Sequence, residues 1–219
     1  MAARNYGEYC GLARALELVG ERWGLLVIRE LLPGPKRFTD LTTGLPRIPS
    51  NVLSGRLKEM EEAGIVARRV LPRPSGAVVY ELTDYGRDLD ATIVGLARWG
   101  TRSVGAPREG DNVSPAGFML GLRANFRAEV AGDLRATYEL RLGDIVVHAQ
   151  VRDGAVTVAE GPAEAPDLTI HADLSLRDVM AGGASDSIRL DGDPALFERF
   201  GEIFRSDPLA PGSAGVGPT

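Results

Sequence analysis

Residues 37 to 87 carry, in unbroken order, a short helix Phe38 to Thr43, a turn, a second helix Asn51 to Ala63, and a basic β-hairpin closed by P-R-P-S-G. No other feature constrains the chain as much, because helix, turn, helix and wing each have a separate geometric task on a nucleic-acid duplex. In the second helix Leu53, Leu57 and Met60 fall at i, i+4 and i+7 and must face a core, while Asn51, Gly55, Lys58 and Glu62 lie opposite with Ser54 beside them. Small polar side chains at a helix N-terminus, here Ser50, Asn51 and Ser54, suit the major groove, where Asn can address adenine edges and Ser several bases. Gly55 costs ~1 kcal/mol relative to Ala inside a helix, which is easier to understand if backbone must approach another body. Taken alone, the same face reads more readily as a solvated surface.

Context favours the duplex. Lys36 and Arg37 open the first helix, Arg47 lies in the turn, and Arg56 and Lys58 stand on the second helix, where phosphates would run. Phosphate contacts fix register and base contacts specify sequence, so these cations would hold the helix in place rather than choose the site. Arg68 and Arg69 enter the hairpin, and Arg73 stands at its tip between Pro72 and Pro74. An arginine so presented suits a narrow, electronegative minor groove.

The whole-chain charge of −5 looks wrong for such a role until it is divided. Residues 1 to 100 carry 14 Lys+Arg against 12 Asp+Glu, and residues 101 to 219 carry 11 against 18. Nucleic-acid binding needs a local basic face, and the acidic excess sits in the other half. A length of 219 residues suits two modest cores, and 44% hydrophobic with 25% charged residues describes a globular protein. No apolar run approaches the ~20 residues of a membrane span, and the start M-A-A-R-N-Y-G lacks the apolar segment of a signal peptide, so a cytoplasmic location is expected. The single cysteine, Cys10, excludes an internal disulfide, and no Cys/His cluster has metal-binding spacing; no cofactor is expected.

Around the central motif, Tyr9 to Val19 has one apolar helical face and is stopped by Gly20, and Trp23 to Leu32 is an almost wholly apolar helix broken by Pro33-Gly34-Pro35. Such a helix must be buried. Thr83 to about Thr101 reads as one further long helix, with Thr83 or Asp84 as N-cap. Gly105 to Pro115 is the expected linker, dividing an N-terminal domain, 1 to 104, from a C-terminal one, 116 to 206. Beyond it, Pro115 to Val130 reads as an amphipathic helix. Strands follow at Leu134 to Leu142, Ile145 to Val151, Ala155 to Ala159 and Leu168 to Ala172, with Asp153-Gly154 as a two-residue hairpin turn. Leu174 to Met180 looks helical, Ser187 to Leu190 a last strand, and Pro194 to Phe204 a closing helix capped by Asp193. The tail 207 to 219 is rich in Gly, Pro, Ser and Ala and is expected to be disordered.

The segments A-L-E-L-V-G-E-R-W at 15 to 23, R-F-T-D-L at 37 to 41, L-S-G-R-L-K-E-M-E-E-A-G at 53 to 64 and Y-E-L-T-D-Y-G-R at 80 to 87 resemble, in order, the HxlR-type winged helix-turn-helix transcriptional regulators. The resemblance covers nearly all of the first hundred residues. It implies a homodimer joined through the N-terminal and post-wing helices, facing a pseudo-palindromic double-stranded operator. Many members begin this domain with Cys-Pro, and in some that cysteine senses oxidants or electrophiles; here the pair is Cys10-Gly11. A thiol near a helix N-terminus can be acidified, but a lone cysteine more often packs, and Cys10 is read first as a packing residue and second as a redox site.

The acidic half shows no catalytic set: His148 and His171 stand among strand residues. Residues 134 to 204 resemble the sterol carrier protein-like fold, through the strand, D-G turn, strand order, A-P-D-L-T-I-H-A-D at 165 to 173 and L-D-G-D-P-A-L-F-E-R-F at 190 to 200. The stretch between Asp173 and Ser187 is short for that family. The resemblance implies helices packed on a curved sheet around an apolar pocket, with Phe118, Leu122, Phe126, Leu176, Met180, Phe197, Phe200 and Phe204 as candidate lining; read without the resemblance, the same residues more readily fill a core. The expected architecture is therefore α+β in two domains. The expected function is that of a homodimeric regulator, a repressor whose C-terminal domain either binds a small apolar effector or serves as an oligomerisation module, with a lipid or acyl carrier or interaction module whose N-terminal half mainly dimerises as the alternative.

Overall fold

The computed structural model describes residues 5–105, 108, 110–173, 176, 180 and 187–207. By their internal contacts these form two compact units, Met1–Ile93 and Val94–Thr219. The division falls inside a helix rather than at the expected linker, of which residues 106, 107 and 109 lie outside the described set. The expected disordered tail, apart from Asp207, lies outside it as well.

In the first unit α1 (Gly11–Val19), α2 (Gly24–Leu31), α3 (Phe38–Gly44) and α4 (Ser50–Glu62) precede a hairpin of β1 (Val66–Val70) and β2 (Val78–Leu82). The apolar positions are buried where periodicity placed them: Val27, Ile28 and Leu31 on α2, Leu41 on α3, and Leu53, Leu57 and Met60 on α4. Each such side chain contributes about 1.5–3 kcal/mol when fully removed from water, so these three helices are fixed by one shared core. The hairpin pairs antiparallel with Arg68 opposite Tyr80, and Lys36 bridges the far edge of β2, exchanging backbone hydrogen bonds with Tyr80 at 2.8 and 2.9 Å.

The long helix expected from Thr83 is instead two, α5 (Asp84–Arg87) and α6 (Asp90–Thr101). Thr83 caps the first: its Oγ1 accepts from Gly86 N at 3.1 Å and donates to Gly64 O at 2.6 Å. Gly86 lies so close to the Ile65 carbonyl that no side chain fits between them. This first turn is therefore pinned under β1, and the chain restarts beyond Asp88 in a new helix.

In the second unit α7 (Pro115–Asn125) and α8 (Ala128–Ala131) precede β3 (Ala136–Leu142), β4 (Ile145–Arg152), β5 (Ala155–Glu160), β6 (Leu168–Ala172) and β7 (Arg189–Gly192), and α9 (Pro194–Ile203) closes it. The sheet order is β5-β4-β3-β6-β7, antiparallel except for the parallel pair β3·β6. Asp153 and Gly154 both have positive φ, 53° and 70°, as a two-residue turn with right-twisted strands requires. The helix expected over 115 to 130 breaks at Phe126, whose backbone turns extended. Arg127 N instead bonds the Ile203 carbonyl at 2.8 Å, and the Phe126 ring packs against Phe204 at 5.6 Å. Of the expected helix 174 to 180, Leu176 and Met180 are described, both helical and buried, and the rest lies outside the described residues. The core of this unit joins Tyr138, Leu140, Val147, Ile170, Phe200, Ile203 and Phe204, all fully buried.

Candidate nucleic-acid interface

One face of α4 is left to solvent, and it carries Ser50, Asn51, Ser54 and Lys58, all exposed. Gly55 shares that side, and open space lies where its Cβ would stand, so nothing within the chain requires a glycine there. Arg37 is exposed at the start of α3, where its backbone N–H donates to Asp40 Oδ2 at 2.8 Å and fixes the first turn. Arg47 is exposed between the two helices, and Arg68 and Arg73 are exposed on the hairpin, Arg73 in the turn at its tip. Arg69 is tied across the hairpin to Glu81 at 2.9 Å.

Two of the expected phosphate-binding cations are placed differently. Lys36 is turned inward, its ammonium 3.8 Å from Glu30 Oε2 with only 16% of the side chain exposed. Glu30, completely buried, also takes Arg29 at 2.6 Å, and it sits so near Gly44 that a Cβ there would stand 2.7 Å from its carboxyl carbon. A carboxylate taken out of water must be paired, so Lys36 serves the join of α2, α3 and β2. Arg56 is likewise held by protein carboxylates, by Glu59 at 2.6 Å and Glu21 at 3.9 Å. Glu59 is an i,i+3 neighbour of Arg56 that helical spacing could have shown, whereas Glu21 and Glu30 stand on other segments, of which that spacing says nothing. Lys58 pairs with Glu62 at 3.8 Å in full solvent, an interaction worth about 0.3–0.5 kcal/mol and easily exchanged for another anion.

A sequence profile of the HxlR-like helix-turn-helix family matches residues 18–107. The transcriptional regulator YodB of Bacillus subtilis is 42% identical over 85 residues, which span 39% of this chain and 76% of that protein. The chain belongs to the HxlR-like helix-turn-helix family. Within that family, the uncharacterized regulator YvaP of the same organism is 36% identical over 98 residues, covering 44% of this chain and 91% of YvaP. The reduced form of YodB, among solved structures, is 36% identical and covers 46% of this chain and all of that one, at a TM-score of 0.40. These HxlR-family relatives are named as helix-turn-helix transcriptional regulators, not enzymes. The family match covers α2 through α6 and the hairpin between them, while most of α1 and the residues beyond 107 lie outside it.

Cys10, expected to pack, is exposed, at the N-cap of α1. The nearby backbone N–H groups of Ala13 and Leu12, in the first turn of α1, lower its pKa from the ordinary thiol value, which favours the thiolate. Sequence reasoning passed over Arg22 and Trp23, although they stand at the end of the quoted motif 15 to 23. Their adjacency of a cation and an indole was the available signal: the Arg22 guanidinium lies over the Trp23 ring, 5.3 Å from its centroid.

In the second unit the eight candidate lining residues fall in one place. Leu122, Leu176, Met180, Phe200 and Phe204 are buried together, with Phe118, Phe126 and Phe197 packed against them. Phe200 and Phe204 stand 4.7 Å apart, and Tyr138 meets them edge-on at 5.4 and 6.2 Å, so these rings interlock as core. His148 bonds the Gly161 carbonyl at 3.0 Å, and His171 bonds Asp191 at 2.8 Å beside Arg189. Among the described residues no group of three or more His, Cys, Asp or Glu could hold a metal, and no helix is long and apolar enough to cross a membrane.

Proposed function

We propose that the protein is a homodimeric, sequence-specific repressor whose α4 enters the major groove of a double-stranded operator. The observation that carries this is the exposed row Ser50, Asn51, Ser54 and Lys58 on a helix whose opposite face is wholly buried. Polar groups held on a rigid helix at its N-terminal end are what direct readout uses, with Asn51 on an adenine edge. Arg37, Arg47 and Lys58 would fix register on the phosphates, and Arg73 would enter the adjacent minor groove. Dimerisation is supported by large apolar side chains left in solvent, Leu12 and Leu16 on α1 and Leu96 and Trp99 on α6.

The C-terminal unit is read as a sterol carrier-like module that binds a small apolar effector. A mixed five-stranded sheet with α7 and α9 packed on it supports that likeness. If effector and operator are coupled, each must change the other's affinity by the same factor, typically 5- to 150-fold. The test is a gel shift with the gene's own upstream intergenic region against random DNA of equal length, repeated with a lipid extract of the host and with a fragment ending after Arg102. Operator preference that weakens steeply with salt is expected for the whole chain, and response to the extract for the whole chain alone. Equal affinity for both DNAs would remove the regulator reading. A fragment that keeps the response would remove the second unit as sensor.

A further inference from the structure

A cleft of about 310 Å³ opens between the turn joining α1 to α2 and the first turns of α4. Arg22 and Trp23 line one side, Arg47, Val52 and Arg56 the other, with Glu21 among them; even with Glu59 bound to Arg56, three guanidiniums meet two carboxylates and the cleft is net positive. Trp23 stands at φ 77°, a left-handed conformation that a bulky residue keeps only where its surroundings enforce it, and such outliers collect at binding sites. The distortion delivers the indole to the cleft wall with Arg22 stacked upon it.

Val52 and Arg56 are one turn apart on α4, beside the solvent row Ser50, Asn51, Ser54 and Lys58 rather than within it. A helix lying in a major groove ~12 Å wide has a sugar-phosphate backbone along each flank. We propose that this cleft seats a backbone phosphodiester of the DNA that α4 reads, with Arg22 and Arg47 as its charge partners. Arg56, clamped by Glu59 and Glu21, is the positioning residue that sets the cleft wall. Glu21 is the opposing charge: it lowers the affinity of the cleft for any anion and offsets the mutual repulsion of the arginines that line it. The inference rests on the DNA-binding reading above and adds to it a contact made by the α1–α2 turn, outside the helix-turn-helix itself.

The full chain, Arg22→Ala and Glu21→Gln are compared on operator and on random DNA of equal length as salt is raised. Arg22 is exposed, so its truncation leaves the fold intact, and thermal unfolding checks this. Arg22→Ala is expected to bind both DNAs about fivefold more weakly near physiological salt, and to flatten the slope of log affinity against log salt by about 0.9, the share of one phosphate. Operator preference stays as it was. Glu21→Gln is expected to tighten binding to both DNAs, which a purely structural role for Glu21 would not produce. Wild-type affinity and slope in Arg22→Ala overturn the proposal. So does a cleft that binds inorganic phosphate in the wild type, loses it in Arg22→Ala, and leaves DNA affinity unchanged, since that marks a site for free anions. A wild-type chain with no operator preference is a different result, visible before any variant is made, and it removes the underlying reading instead.

Discussion

Tyr138 places a hydroxyl at the centre of the second unit's core, and that hydroxyl is the sharpest point at which its packing can be tested. The side chain is fully buried against Phe200 and Phe204, and among the described residues its hydroxyl has no hydrogen-bond partner. An unsatisfied buried polar group costs about 1–3 kcal/mol, whereas deleting one oxygen leaves a void of about 12 Å³, worth ~0.3 kcal/mol at the usual cavity coefficient. Tyr138→Phe is therefore expected to stabilise the unit by about 1–2 kcal/mol. Burial also pushes the phenol pKa up to about 12, with Asp167 adding to the shift and Arg199 opposing it. The folded state then holds its proton after the unfolded state, near pH 10, has released it, so this stability is complete below pH 10 and is lost as pH rises through about 12. Two pKa units correspond to about 2.7 kcal/mol for a dry group, and solvent screening reduces that to about 1–2 kcal/mol. Urea titration read by amide exchange on β3 and β6 measures both effects, at pH 7 and between pH 9 and about 11.5 to catch the onset of the alkaline loss. A Tyr138→Phe protein less stable than wild type at neutral pH would show that the hydroxyl is satisfied, and one that keeps the full alkaline loss would show that another group titrates; either result refutes the reasoning.

The buried carboxylate of Glu30 gives a second test. Glu30→Ala should destabilise the first unit by about 2–4 kcal/mol, since Arg29 and Lys36 lose their partner while still partly covered, and Gly44→Ala by about 1–3 kcal/mol because its Cβ would press on that carboxylate; chemical denaturation reads both. At the wing tip, Arg73→Ala should weaken operator binding by roughly 1–3 kcal/mol with folding unchanged, and an equal dissociation constant at fixed salt would take the wing out of the interface. Cys10, exposed and acidified by the amides of Leu12 and Ala13, should be alkylated at neutral pH faster than a free cysteine, its rate rising to a plateau at lower pH than an ordinary thiol; a normal rate profile would mean those amides do not act on the sulfur.

The order helix, turn, helix, wing was legible in the sequence because its signals are local. Leu53, Leu57 and Met60 repeat at helical spacing, Pro33 to Pro35 must end α2, and Asp153-Gly154 can supply two successive positive φ values. Those properties belong to a few neighbouring residues and act before any distant contact forms. The exposed row Ser50, Asn51, Ser54 and Lys58 followed from the same periodicity, as the complement of the buried row.

What the tertiary structure alone decided depends on residues far apart in the chain. Helical spacing runs unbroken past Asp88 and past Phe126, yet both helices break there, the first after a turn held against the Ile65 carbonyl at Gly86 and the second where the Phe126 ring and the Arg127 amide find Phe204 and Ile203. Charge behaves likewise. Composition makes Lys36 look free to meet phosphates, and only the fold brings the buried Glu30 to it, because a carboxylate removed from water captures whichever cation the packing delivers; Arg56 is held by Glu59 on its own helix, and the fold adds Glu21. The cleft at Trp23 belongs to the same class, since its two walls lie on segments about thirty residues apart and meet only when α2 and α4 share one core. Sequence set the period and the punctuation of the elements; packing set where they bend, which charges are consumed, and which remain for a partner.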